Sequence, residues 1–70
     1  MKVVTEHQKM AEKIAHAMQL KGLSQARLAR ESGQSPMQVC RVLSGEYMPS
    51  AISLHRIAKA LDREISDFMD

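Results

Sequence analysis

Met37, Cys40, Arg41 and Ser44 stand at i, i+3, i+4 and i+7, the spacing that puts four side chains on one face of a helix. Val39, Val42 and Leu43 fall on the other side, so a helix here would bury an aliphatic stripe and offer a thioether, a thiol, a guanidinium and a hydroxyl to solvent. The planar fork of an arginine can grip guanine O6 and N7, and a methionine suits the methyl group of thymine. Hydroxyls at Ser24, Ser44 and Tyr47 flank the segment, and phosphate oxygens bonded to them would position a protein on a duplex without reading its sequence. An amphipathic core helix divides in the same way, so the face alone leaves both roles open.

Such residues act only if short elements hold them. Residues 24–45, SQARLARESGQSPMQVCRVLSG, contain two helical patterns parted by a polar break centred on Gly33. Ser24 is a good N-cap for the first, which turns Leu28 and Ala29 inward. The second opens at Ser35 with Pro36 in the first helical position, where a missing N–H is no loss, and stops at Gly45. Gly33 suits a left-handed turn residue, and Ala29 is small enough for two helices to approach closely. This is the outline of a DNA-binding helix-turn-helix, and it favours the groove-reading role for the outer face. Ser35-Pro36-Met37-Gln38 is also a capping box, in which Gln38 folds back to the Ser35 amide instead of meeting a base or a phosphate. Ser35 is expected to cap the helix and to touch a phosphate as well.

The flanking sequence supplies the remaining elements. Thr5 and Gln8 form a capping box that opens a first helix, with Met10, Ile14, Ala17 and Met18 inward and Lys21-Gly22 at its end. Glu46-Tyr47-Met48-Pro49 is a loop, and Ser50 caps a fourth helix that buries Leu54, Ile57, Ala58 and Leu61. A last short helix carries Ile65, Phe68 and Met69. There are no repeats or linkers, so residues 1–70 read as one all-α, compact five-helix domain.

Composition fits that class. Hydrophobic residues make up 44% of the chain and aromatics only 3%, so the core must be aliphatic, methionine and alanine, a mixture that suits helices better than strands. A lone cysteine excludes an internal disulfide, and no segment reads as a signal peptide or a membrane span, which points to a soluble cytoplasmic protein with no membrane partner. The net charge is +2. Residues 1–35 hold six Lys or Arg against three Glu, and residues 36–70 four against five carboxylates, so the C-terminal end is the poorer phosphate-facing side. His7 and His16 fall on opposite faces of one helix and His55 on another, so no metal site or cofactor is expected, and these read as solvated histidines. Cys40 reads as a bystander thiol, with an oxidation switch as the alternative.

GLSQARLA, SG, the helix ending at Gly45, Pro49 and IAKALDREISDFM together resemble the helix-turn-helix domain of phage repressor and Cro-type regulators, over roughly residues 10–69. The turn residues that this family favours fall on Ala29, Gly33 and Val39. The resemblance implies a lambda-repressor-like fold with the third helix in the major groove of double-stranded DNA. It places base contacts at Pro36, Met37, Gln38 and Arg41, and a phosphate contact at Gln25. Pro36 and Met37 depart from the amide and guanidinium groups usual there, so Arg41 and apolar contact should carry the readout. Ser32 and Gln34 stand where the family carries apolar residues, which implies a less tightly packed turn. Asp62 replaces a favoured glycine, and Glu64 a Ser-like cap.

Ile65, Phe68 and Met69 are left with little chain to cover them and form a candidate dimer surface, the alternative being packing under the first helix. Two-fold pairing would set the reading helices one DNA turn apart, roughly 34 Å, on a palindromic operator. The expected function is a homodimeric transcriptional repressor that acts by binding alone. With no room for a sensor domain, its regulation would come from concentration, a partner or competing sites. A protein-interaction module of the same fold, such as an antitoxin that binds a toxin, is the alternative. No nucleophile, base and orienting group recur at motif spacing, so no catalytic residue is assigned and an enzyme is not expected.

Overall fold

The computed structural model describes residues 6–46 and 48–68; Thr5, Tyr47 and Met69 lie outside the described residues, and with them the Thr5 cap, the Tyr47 phosphate contact and one of the dimer residues. Four α-helices follow one another: α1 (Glu6–Lys21), α2 (Gln25–Ser32), α3 (Pro36–Ser44) and α4 (Ala51–Ala60). The expected fifth helix is a single 3-10 turn over Ile65–Asp67. A turn of three residues leaves too few backbone bonds to continue as an α-helix.

The element boundaries follow from their end groups. Ser24, Ser35 and Ser50 are extended N-caps whose hydroxyls accept from the amides of Arg27, Gln38 and Ser53. Helix α2 ends where Gly33 takes φ 71° and Gln34 donates its amide to the Ala29 carbonyl at 2.9 Å. At the end of α4 the same geometry is met without glycine: Asp62 sits at φ 56°, a conformation that aspartate tolerates better than most residues, and Arg63 donates to the Ala58 carbonyl at 2.8 Å. Lys21, from the last turn of α1, binds the Asp62 carboxylate at 2.5 Å and donates to the Ala60 carbonyl at 3.1 Å. The residue that departs from the family preference is thus held by a cation that also completes the end of α4.

Helix α3 packs against α1 and α2, α4 packs against α2, and the terminal turn closes on α4. Ile14, Leu28, Val39 and Ile57, one from each helix, form the fully buried centre, with Met10, Met18, Ala29, Val42, Leu54, Ala58 and Leu61 around them. Leu43, expected inward, is only half-buried at the edge of this core. Phe68 corrects the expectation of an exposed dimer residue: at 4% exposure it is part of the core, beside Lys13, Ala17 and Leu20 of α1, while Ile65 is half-buried against the same cluster. A small aliphatic domain gains more by folding its one phenylalanine inward than by leaving it for a partner.

Candidate nucleic-acid interface

The outer face of α3 exists because its other face is fully used. Val39 and Val42 are buried, and the helix begins at a capped serine and proline that fix where its first turn projects. Pro36, Met37, Gln38, Cys40 and Arg41 are all exposed, Met37 at 66%. Arg41 is the only charged residue of α3. Leu20, Met48 and Ile52 are exposed as well, so Met37 gains its meaning from its place on α3 and not from exposure alone.

The hydroxyls differ in what they leave available. Ser24 and Ser35 accept from backbone amides at 3.2 Å, so each keeps its proton for an outside acceptor such as a phosphate oxygen. Ser44 donates to the Arg41 carbonyl at 2.8 Å, which occupies its one proton. Gln38 uses its backbone amide on Ser35, while its side chain is exposed along the tip of α3. Gln25 is exposed in the first turn of α2 and shares an open depression of about 520 Å3 with Leu43.

Two features of the surroundings depart from what the sequence implies. The turn is not loose at Ser32 and Gln34. Ser32 is buried with its hydroxyl on the Ala29 carbonyl, and the Gln34 amide bonds Ser53 of α4 twice, Nε2 to the carbonyl at 3.0 Å and Oε1 from the hydroxyl at 2.8 Å. The visible signal was a glutamine at an apolar position, but its partner stands nineteen residues away. The second feature is an open concavity of about 550 Å3 between α2 and α4, with Arg30, Arg56 and Lys59 around it and no residue of α3 in its lining. Its two carboxylates are already engaged, Glu31 by Arg27 at 2.8 Å and Asp62 by Lys21. The acidic C-terminal half thus still presents Arg56 and Lys59 outward from α4.

Two capped helices joined by a left-handed glycine, the second projecting a solvated polar face from a fixed core, define a helix-turn-helix domain. The helix-turn-helix family pattern matches residues 14–68, and the chain belongs to that family, of the Cro/C1 type, whose members are DNA-binding transcription regulators. Over 43 residues it is 44% identical to an uncharacterized HTH-type transcriptional regulator of Methanothermobacter thermautotrophicus, a match that spans 61% of this chain and 62% of that protein. The fold is similar to that of the restriction-modification controller protein C.AhdI from Aeromonas hydrophila, with a TM-score of 0.86, 30% identity, and 90% of this chain and 96% of that one covered. It is similar as well to an HTH_3 family transcriptional regulator from Vibrio cholerae, with a TM-score of 0.85, 26% identity, and coverage of 93% of this chain and 36% of the other.

Proposed function

We propose that this protein is a sequence-specific repressor that binds as a homodimer to a palindromic operator, with α3 in the major groove. The observation that carries this reading is the solvated outer face of α3 on a helix whose opposite face is locked in the core. Arg41 reads guanine, Pro36 and Met37 make apolar contact with thymine methyls, and Gln38 completes the base contacts. Ser24, Gln25 and Ser35 bond phosphates. Ser44 and Tyr47 serve the same backbone, Ser44 after releasing its internal bond. The similarity to a restriction-modification controller supports a regulatory role.

Size argues for two copies. Nine residues of α3 extend about 13 Å, so one helix meets roughly four base pairs, too few for a specific site in a genome. With Phe68 in the core, the described residues still offer apolar groups for pairing away from α3: half-buried Ile65, and the exposed Leu20 of α1, Met48, and Ile52 of α4, the last 68% accessible.

The test is selection of bound duplexes from random DNA. Two matching half-sites with centres one turn apart, roughly 34 Å, are the expected result. No enrichment at about 50 mM salt, where phosphate contacts are strongest, overturns the reading. The competing use of the same face, a protein groove gripping Pro36 and Met37 as an antitoxin would grip a toxin, predicts partner binding that Met37→Glu abolishes and that salt between about 50 and 200 mM leaves unchanged.

A further inference from the structure

Gln34 joins three helices. Its backbone amide closes α2 through the Ala29 carbonyl, the next residue caps α3, and its side-chain amide is held at both ends by Ser53 in the first turn of α4. Ser53 is itself anchored. Its backbone amide donates to the Ser50 cap at 3.1 Å, and the residue is 7% exposed. The orientation of the Gln34 amide is unambiguous, because the Ser53 carbonyl only accepts and so must face the NH2 group. The contact is directional at both ends and sits one residue before the tip of the helix that carries Pro36, Met37, Gln38 and Arg41.

An apolar side chain at this position would fill the same space by packing, which tolerates small rotations of one helix against another. Two hydrogen bonds of 2.8 and 3.0 Å in a part-buried setting do not, because bending or stretching either one leaves a polar group without a partner. We propose that Gln34 and Ser53 form a latch that sets the angle at which α3 leaves the turn, and that they are positioning residues for base readout although neither faces the groove. The proposal rests on α3 being the reading helix. It assigns to the turn and to α4 a share of sequence discrimination that the outer face of α3 does not hold alone. Phosphate contacts tolerate a few degrees of rotation, whereas a bidentate arginine-guanine pair does not.

The decisive variant is Gln34→Leu with Ser53→Ala, which keeps the site filled and removes both side-chain polar groups, so that folding is retained. The wild type and the double variant are compared for affinity to the duplex recovered by selection, for affinity to a scrambled duplex, for thermal midpoint and for hydrogen exchange of the Gln38 and Val39 amides. The expected result is a thermal midpoint within a few degrees of wild type, unchanged affinity for the scrambled duplex, a fall of about tenfold in the ratio of selected to scrambled affinity, and faster exchange at the start of α3. An unchanged ratio in the folded double variant overturns the proposal, leaving the pair as two satisfied polar groups. If the wild type selects no sequence, the functional reading fails by itself. The role in base readout is then overturned with it, and the exchange data decide the hold on α3 separately: acceleration confined to the start of α3 upholds that hold, and unchanged rates overturn it.

Discussion

Arg41 and Met37 share the outer face of α3, and their different chemistries lead to different losses. Arg41→Ala is expected to relax discrimination at one base pair by about 1–3 kcal/mol while leaving other positions intact. Uniform weakening on every duplex would make Arg41 a phosphate contact instead; binding to a panel of single-base operator variants separates the two outcomes. Glycines also differ at this scale. Gly33 and Gly45 both have φ above 70°, but a Cβ on Gly33 meets nothing, whereas one on Gly45 comes within 3.0 Å of the Gln8 Cγ and 3.3 Å of its Cα. Gly33→Ala should cost about 1–2 kcal/mol from backbone strain alone. Gly45→Ala should cost more, since the backbone of α1 has to move, and urea unfolding gives the order. The sequence pattern drew attention to Gly33 as the turn residue; the closer demand on Gly45 comes from an approach across thirty-seven residues.

At the scale of the elements, the caps combine two roles that substitution can separate. Ser35 accepts from the Gln38 amide and keeps a proton for a phosphate. Ser35→Ala should lower stability by about 1 kcal/mol, and Ser35→Gly by only a few tenths, because glycine is a fair N-cap. If the hydroxyl bonds a phosphate, both variants weaken DNA binding equally on all sequences, as titrations on selected and scrambled duplexes would show. Equal binding by the wild type and the glycine variant would confine Ser35 to capping. Helix α2 acts through packing. Ala29 is 2% exposed, and Ala29→Val should cost about 1–3 kcal/mol by forcing neighbouring helices apart, measured as a lower denaturation midpoint. The helix boundaries were legible because serine caps, Pro36 and the glycines signal locally. The fifth helix was not, because the pattern of Ile65 and Phe68 marks buried positions without specifying how many backbone bonds join them.

The described residues span 36 by 22 by 22 Å and hold one helix of the α3 kind, so an operator of two half-sites, as proposed, calls for a second copy. Ile65→Asp is expected to shift sedimentation from dimer to monomer; if Ile52→Asp does so instead, the dimer runs through α4. In either case the monomeric variant should lose operator affinity more than affinity for scrambled DNA, because only the former depends on simultaneous half-site engagement. Arg30, Arg56 and Lys59 surround a concavity between α2 and α4, off α3. The net charge of the chain is therefore a poor guide to the salt dependence of operator binding, which should follow the number of phosphates held by the residues around α3.

The sequence by itself determined the class of fold, the helix-turn-helix unit, the aliphatic centre of each buried helix face and the exposed tip of α3. All of these rest on local chemistry: periodicity, capping hydroxyls and left-handed glycines act over four residues or fewer. Tertiary structure alone decided that Phe68 belongs to the core, that Asp62 is held in its left-handed turn by Lys21, and that Gln34 is tied to Ser53. Each of these depends on a partner brought close only when the helices pack, and neither spacing nor residue type at one end of such a contact reveals the other end.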